Sequence, residues 1–380
     1  MDSRRVLPGG TVLNPMTDLA ASSARDEASA SRAPAPLRPV RAAVAGLDRL
    51  GVAHVSVLSA IPDCELVGFC DPRRAARTSL RGIGHLAPGF ADLPKLLART
   101  HPDVVIVSSA EAARGPMARL ALEAGASVLA ERPMARTAEE AAGLADLAAE
   151  RGLKLAGAHA LAFEPVFVRA HAAIAAGAVG APRHVRSSMF ASRVFSAQQS
   201  ARFDPALVSG GVVSQMASDL LFLLLWSFGQ PLQVRATWNR IYGGVEDELH
   251  GMMTLASGLE VGFDSSWSVP GYPQPATVVE LEGDNGKLLV SNDALELDLV
   301  GPRGGWPAGH TRVRDAELPQ LARFDLDGES PYLMDAAFLE WATGGSEPPN
   351  TGAAALRVQR TVEALYASAR QGGATVPVGA

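Results

Sequence analysis

Short apolar segments alternate with helix-like stretches over residues 40–158, and this alternation constrains the fold more than any other feature of the sequence. Apolar runs of about four to eight residues are typical of strands that are buried on both faces of a parallel sheet. Right-handed crossovers through the intervening helices arrange such strands in a doubly wound sheet. The sequence therefore predicts an N-terminal α/β domain of Rossmann type over residues 39–158.

The second half of the chain has a different pattern, in which several strand-like runs follow one another without intervening helices. A long apolar helix is predicted over residues 212–228, and short glycine-containing links such as 257–258 and 283–286 favour antiparallel hairpins. We expect residues 159–380 to form an α+β domain with an open, mostly antiparallel sheet. Two helices, near 331–342 and 352–371, would close it.

Residues 1–38 lack this regularity and are rich in alanine, serine, arginine and proline. Such a composition predicts either a disordered extension or an arm that lies on a partner. The remaining length fits two domains, and a hydrophobic content of 47% is sufficient to give each of them a buried core.

Charge and cysteine content restrict the partners. The net charge of −6 argues against nucleic acid or an anionic membrane surface as the main partner. No apolar run approaches the roughly 20 residues that a membrane-spanning helix needs. Cys64 and Cys70 lie in apolar segments, which favours buried thiols over a disulfide. We therefore expect a cytoplasmic protein that acts on a small molecule.

A glycine-containing turn follows the first predicted strand, where dinucleotide-binding domains carry Gly-x-Gly-x-x-Gly. Gly46 and Gly51 occupy the outer positions, but Asp48 replaces the middle glycine, which normally lets the pyrophosphate approach the backbone. At about 4 Å a carboxylate would repel a phosphate charge by on the order of 1 kcal/mol in water, and by roughly 4 kcal/mol at an effective dielectric constant of about 20. Arg49 could partly offset this charge, or Asp48 could cap the following helix.

An acidic residue ends the second predicted strand. Asp71 stands 20 residues after Gly51, where a carboxylate commonly accepts hydrogen bonds from an adenosine ribose. Arg73 and Arg74 follow and could accept a 2′-phosphate, so the pattern allows either NAD or NADP. The alternative is a Rossmann-shaped domain whose nucleotide site is weak or empty.

Several short motifs occur in a fixed order along residues 40–378. They include Cys70-Asp71-Pro72, Glu131-Arg132-Pro133, Phe163-Glu164-Pro165 and Ser209-Gly210-Gly211. In this order they resemble the Gfo/Idh/MocA family of NAD(P)-dependent dehydrogenases, named for glucose–fructose oxidoreductase and inositol dehydrogenase. The resemblance implies redox chemistry at a hydroxyl or keto carbon of a sugar-like or polyhydroxylated molecule bound between the domains. It also implies a homo-oligomer, a dimer or tetramer formed through the C-terminal sheet.

The polar positions depart from the family pattern. The lysine of the family's Glu-Lys-Pro is Arg132, and Thr-Pro-Asn-x-x-His after the third main strand is replaced by Ser-Ala-Glu-Ala-Ala-Arg at 109–114. A common arginine is Ala162, and an aspartate followed four residues later by a histidine is replaced by Gln215 and Asp219. An arginine cannot exchange a proton near neutral pH as a lysine can. Residue 132 is therefore not expected to carry the proton.

The resemblance and its departures together imply a catalytic site. Arg132 would orient the substrate oxygen, and Asp219 or Tyr242 would move the proton. Gln215, four residues before Asp219, is expected on the same helix face and can contribute only hydrogen bonds. Arg193, Arg202 and His159 stand where the family's substrate pocket lies.

The cofactor-binding positions implied for this chain lie on the predicted turns at the ends of the strands. They are Gly46, Asp48, Arg49, Leu50, Asp71, Arg73, Ser109 and Glu131. No metal site is predicted, because the histidines show no metal-ligand spacing such as His-Glu-x-x-His.

Two alternatives to a redox site stay open. Arg132 and Asp219 could form a structural ion pair that fills a vacated active site, since an unpaired buried carboxylate is costly. The scaffold could also serve non-redox chemistry, such as elimination or cyclisation, or act as a non-catalytic partner subunit.

Overall fold

A computed structural model of the chain describes residues 38–82, 87–195, 203–206, 208–318 and 331–379. The extension predicted at 1–38 lies, apart from its last residue, outside these ranges. No helix in the described ranges combines the length and apolarity that a bilayer crossing requires.

The N-terminal half forms a parallel sheet covered by helices. Its strands are β1 (Val40–Ala45), β2 (Cys64–Cys70), β3 (Gly89–Phe90), β4 (Val104–Val107), β5 (Ser127–Ala130) and β6 (Leu155–Gly157). The helices between them are α1 (Arg49–Ala60), α2 (Arg74–Gly82), α3 (Leu93–Thr100), α4 (Glu111–Glu123) and α5 (Ala138–Glu150). The strand order is β3-β2-β1-β4-β5-β6, so the direction of winding reverses between β1 and β4. Open α/β sheets bind ligands at such a switch point, and the predicted Rossmann domain is confirmed.

The C-terminal half forms a second sheet. Its strands are β7 (Pro182–Phe190), β8 (Pro231–Asn239), β9 (Glu248–Leu255), β10 (Glu260–Ser266), β11 (Ala276–Gly283), β12 (Gly286–Ser291), β13 (Ala294–Leu299), β14 (Gly309–Arg314) and β15 (Val376–Pro377). They lie in the order β14-β13-β12-β11-β7-β10-β9-β8-β15. Among the described strands of this second sheet only β7 and β10 pair in parallel. The predicted open, mostly antiparallel sheet is therefore confirmed.

The remaining helices connect the two sheets. They are α6 (Pro165–Ala175), α7 (Ser218–Phe228), α8 (Pro331–Ala342) and α9 (Gly352–Arg370). Helix α8 packs on α1, and α9 packs on α5 and β6 as well as on β8. One apolar cluster extends from Val44 in the first sheet through Phe163 and Leu221 to Trp267 in the second, so the two halves share a core.

The prediction of one continuous α-helix over residues 212–228 was wrong at its N-terminal end. A π-helical turn, Val213–Ala217, precedes α7. The Glu246 carboxylate accepts hydrogen bonds from the backbone N–H groups of Gly211 and Val213, at 2.6 and 3.3 Å. The local sequence gives no signal for such a turn, because the carboxylate that binds its N-terminus belongs to a distant residue.

Candidate active site

The turn after β1 has the geometry of a phosphate-binding turn. Gly46 has φ +98°, and a Cβ atom added to it would lie 2.4 Å from the Ser108 carbonyl oxygen. A Cβ atom on Gly51 would lie 2.1 Å from the carbonyl oxygen of Gly46. Only glycine fits at either position, so the turn requires both outer glycines.

Asp48 caps the helix that begins at this turn. Its Oδ1 atom accepts hydrogen bonds from Gly51 N at 2.8 Å and from Ser108 Oγ at 2.7 Å. The carboxylate therefore lies at the N-terminus of α1, the position that favours an anion such as pyrophosphate. Arg49 and Leu50 follow it in the first turn of α1.

Asp71, at the end of β2, is buried and strongly hydrogen-bonded. It accepts hydrogen bonds from Leu47 N at 2.9 Å and Arg73 N at 2.8 Å, and Arg73 Nη2 contacts its Oδ2 atom at 2.9 Å. Burial acts in the opposite direction, but these bonds outweigh it and lower the pKa of Asp71. Asp71 is thus an ionised carboxylate at the end of β2, where the sequence predicted a ribose contact.

The loop after β5 brings Arg132 to Asp219. Arg132 Nη2 lies 3.0 Å from Asp219 Oδ2, and Arg132 Nη1 donates a hydrogen bond to the Ala158 carbonyl oxygen at 3.0 Å. The other carboxylate oxygen of Asp219 lies 3.0 Å from His159 Nδ1. Asp219 is 2% exposed, so a buried carboxylate is held between a guanidinium and an imidazole. The ion pair expected from the sequence is present, with a third member.

His159 is fixed on two sides. Its ring stacks on Phe222 with a centroid distance of 4.5 Å, and Nδ1 faces Asp219. A Cβ atom placed on Gly157 would lie 3.6 Å from Nε2, so this edge of the ring lies beside the end of β6. Within the described residues the hydrogen bond of the His159 ring is made by Nδ1, and Nε2 has no hydrogen-bond partner.

Two cavities of very different volume border the Arg132–Asp219–His159 group. On the side of His159 lies a cavity of about 360 Å³, bordered by Arg132, Ser214, Ser218 and helix α9. On the side lined by Asp219 and Arg193 the space is only about 10 Å³, roughly that of one water molecule. A sugar-sized molecule therefore has room beside His159.

The other two predicted catalytic residues are not brought to this group. Gln215 Nε2 donates to the Gly210 carbonyl oxygen at 2.8 Å, and Gln215 lines neither space. Gln215 lies within the π-helical turn and Asp219 lies in the first turn of α7, so the regular-helix spacing that predicted a common face does not apply. Tyr242 is 61% exposed and packs edge-on against Phe195.

Residues 109–114 hold the loops at this edge of the sheet together. Arg114 donates hydrogen bonds to the carbonyl oxygens of Ser109 and Pro133, at 2.9 and 2.8 Å. Glu111 Oε1 accepts one from Ser209 N at 2.9 Å. In the sequence these residues were notable only because they replace the family's Thr-Pro-Asn-x-x-His. Arg202 lies outside the described residues.

A second buried group supports the loop after β5 and was missed in the sequence. His54 on α1 lies between Glu131 Oε1 at 3.1 Å and Asp335 Oδ2 at 2.7 Å. Burial opposes the charge, but the two carboxylates outweigh it and raise the pKa of His54 to about 10. Burial likewise opposes ionisation of Glu131, yet His54, Arg132 and Arg114 lower the pKa of Glu131 to about 2. Glu131 is therefore a buried anion beside Arg132.

Comparison with family models decides the classification. Residues 40–159 match the model of the oxidoreductase family with an NAD-binding Rossmann fold, and residues 167–289 match the GFO/IDH/MocA C-terminal domain. The chain belongs to the Gfo/Idh/MocA oxidoreductase family. The resemblance seen in the sequence is thereby confirmed.

Relatives of this Gfo/Idh/MocA protein cover most of its length. It is 25% identical to D-apiose dehydrogenase of Paraburkholderia graminis over 84% of each chain. It is 29% identical to UDP-N-acetylglucosamine 3-dehydrogenase of Acidithiobacillus ferrooxidans, over 86% of this chain and 98% of that one. Among solved structures it resembles GenD2 from gentamicin A biosynthesis in complex with NAD. That likeness has a TM-score of 0.76 and 26% identity, over 90% of this chain and 97% of that one.

The residues at the switch point fit the family's NAD(P) cofactor. Gly46 and Gly51 allow the tight turn after β1, and Asp71 would supply the carboxylate for the ribose. Ser109 and Glu131 follow β4 and β5 at the same edge of the sheet. Asp48 alone opposes the fit, because its charge lies where the pyrophosphate would bind.

Proposed function

We propose that this family member is an NAD(P)-dependent oxidoreductase that interconverts a hydroxyl and a keto carbon of a sugar-like or polyhydroxylated small molecule. The observation that carries the proposal is the Arg132–Asp219–His159 group beside a cavity of about 360 Å³. The relatives named above support the substrate class, since both are dehydrogenases of sugars or sugar nucleotides. None of them favours the non-redox alternative.

The bound cofactor supplies the hydride acceptor, and the protein must supply the proton acceptor. Asp219 has both oxygens engaged, and Tyr242 is exposed away from the group. His159 has Nδ1 directed at a carboxylate, which favours the tautomer that leaves a lone pair on Nε2. His159 Nε2 therefore takes the hydroxyl proton as the carbon is oxidised, and returns it in reduction. Arg132 stays charged and holds Asp219 in place.

Cofactor binding and catalysis are tested separately. Titration with NADH and NADPH, followed by fluorescence transfer from tryptophan, is expected to show saturable binding. NADH should bind more tightly, because the Asp71 carboxylate repels a 2′-phosphate. His159→Gln should reduce turnover of a substrate found among sugars and cyclitols by about 100-fold or more, because it removes a general base.

In that variant the dissociation constant for NADH should stay within about twofold of the wild-type value. Asp219→Asn serves as the matched variant, because it keeps the shape of the site and removes the charge that orients His159. Absence of NADH and NADPH binding at millimolar concentration would refute the proposed function. Unchanged turnover in His159→Gln would refute the assignment of the proton carrier alone.

We also propose that the protein is a cytoplasmic homo-oligomer that associates through its C-terminal sheet. Leu289 on β12 is 36% exposed and lies between the buried residues Leu288 and Val290, so an apolar side chain lies on the uncovered face. Cys64 and Cys70 are both free thiols, which supports a reducing compartment.

A further inference from the structure

The cavity beside His159 is polar inside as well as at its mouth. Ser214 and Ser218 line it from the π-helical turn and the start of α7, and Gln359 lines it from α9. Val358 and Val362 of α9 contribute an apolar strip. Hydroxyl and amide groups around an apolar strip suit a ligand with several hydroxyl groups and a carbon skeleton.

The mouth of the cavity carries an excess of positive charge. Arg136 and Arg370 lie there and are exposed. Within the described part of the chain neither forms an ion pair with a carboxylate. The one acidic residue at the mouth, Glu363, already accepts a hydrogen bond from Ala138 N at 2.6 Å. The two guanidinium groups are therefore available to bind an anion, and arginine suits a carboxylate because it can form two parallel hydrogen bonds.

We propose that this cavity is the substrate site of the oxidoreductase and that its substrate is a sugar acid, a polyhydroxylated molecule that carries a carboxylate. The proposal rests on the proposed function. The hydroxyl to be oxidised lies against His159 Nε2, while the carboxylate lies at the mouth between Arg136 and Arg370. A cavity of about 360 Å³ is within the range of roughly 300–1,000 Å³ that small-molecule sites occupy.

Binding of matched sugars tests the substrate class. The probes are D-glucuronate, D-galacturonate and D-mannuronate, each compared with its parent hexose by calorimetric titration of the full chain saturated with NADH. At least one uronate is expected to bind ten times more tightly than its hexose. In the double variant Arg136→Gln, Arg370→Gln this preference should be lost, whereas Arg357→Gln, an exposed arginine on α9 outside the cavity, should preserve it. Equal affinity for all acids and hexoses, or no binding of any acid, overturns the substrate class.

Filling the cavity tests its place in the reaction. Val358→Phe puts a larger side chain into the cavity, and Val358→Ala, at the same position, enlarges it. Val358→Phe should weaken uronate binding at least tenfold and leave the dissociation constant for NADH within about twofold, while Val358→Ala changes neither by more than about threefold. If Val358→Phe loses NADH binding and Val358→Ala keeps it, the cavity holds the nicotinamide and the proposal is overturned.

These outcomes separate the two proposals. If NADH binds and a neutral polyol is oxidised with equal efficiency by wild type and Val358→Phe, the oxidoreductase function stands and the substrate site lies elsewhere. If uronates bind but neither NADH nor NADPH does, the cavity is a ligand site and the redox function fails.

Discussion

Asp48 places a negative charge at the turn after β1, where both outer glycines of the motif are kept. The turn around it keeps both glycines, and the carboxylate forms the cap that begins α1. The protein thus places its own anion at the helix N-terminus that would otherwise attract the cofactor's phosphates. The cofactor must bind beside this charge or displace it.

Removal of the Asp48 charge should therefore strengthen cofactor binding. In Asp48→Asn the side chain can still cap α1, because asparagine is an equally good N-cap residue. The repulsion removed is at least on the order of 1 kcal/mol, so the dissociation constant for NADH should fall about fivefold or more. Fluorescence titration measures it, and Asp48→Gly shows whether space adds to charge. Weaker binding in both variants would mean that the carboxylate assists the cofactor.

At the scale of secondary-structure elements, the buried group of His54, Glu131 and Asp335 connects two helices and a loop. It joins α1 to the loop after β5 through Glu131 and to α8 through Asp335. His54 and Asp335 are fully buried, and removal of one member of a buried ion pair costs on the order of 3 to 5 kcal/mol. The geometry of Arg132 thus depends on a helix from the far end of the chain.

This group should give the protein a defined pH dependence of stability. The pKa of His54 rises from 6.5 to about 10, so its contribution is complete below pH 6.5 and is lost as the pH rises through about 10. The pKa of Glu131 falls from 4.5 to about 2, so its contribution is complete above pH 4.5 and is lost on acidification. Urea unfolding of wild type should show falling stability between pH 7 and about pH 10.

His54→Gln should be destabilised by several kcal/mol at pH 6 and should lack most of this alkaline decline. The control is His310→Gln, which removes an exposed histidine paired with Asp298 and should change stability by less than about 1 kcal/mol. A parallel decline in wild type and His54→Gln would contradict the assignment.

The sequence predicted well those elements that are buried, because a buried strand or helix has a recognisable pattern of apolar residues. Strand β4 is buried at every residue and is a continuous apolar run, and β1 is buried and apolar except at Arg41. Strand β14, which was not predicted, is mostly exposed, so its residues lack an apolar pattern. The Arg132–Asp219 pair followed from the cost of burying a lone carboxylate. The His54–Asp335 contact joins residues 281 positions apart, which no local pattern encodes.

At the scale of the whole molecule, the uncovered face of the second sheet is the surface available for self-association. Leu289 pairs with Glu280, which in turn pairs with Arg186 on β7, so an apolar residue lies beside charges of both signs. A two-fold arrangement could place the acidic position of one protomer opposite the basic position of its partner. Such a face suits an interface between identical copies.

Leu289→Asp should therefore shift the protein toward monomers, because it places a charge in the centre of the proposed interface. Light scattering coupled to size-exclusion chromatography measures the mass. Val300→Asp is the matched control, since Val300 is 85% exposed and lies beyond the end of β13. A wild-type protein that is monomeric at micromolar concentration would contradict the proposal.

Helix α9 completes the nucleotide-binding half from the other end of the chain. Asn350, just before it, donates a hydrogen bond to the Gly157 carbonyl oxygen at 2.7 Å, and Gln359 donates one to that of Ala135 at 2.7 Å. During synthesis, strands β5 and β6 leave the ribosome long before these partners exist. The N-terminal Rossmann domain therefore cannot complete its packing until translation is nearly finished. A nonsense mutation that removes only α9 would impair this domain, although the domain is synthesised first.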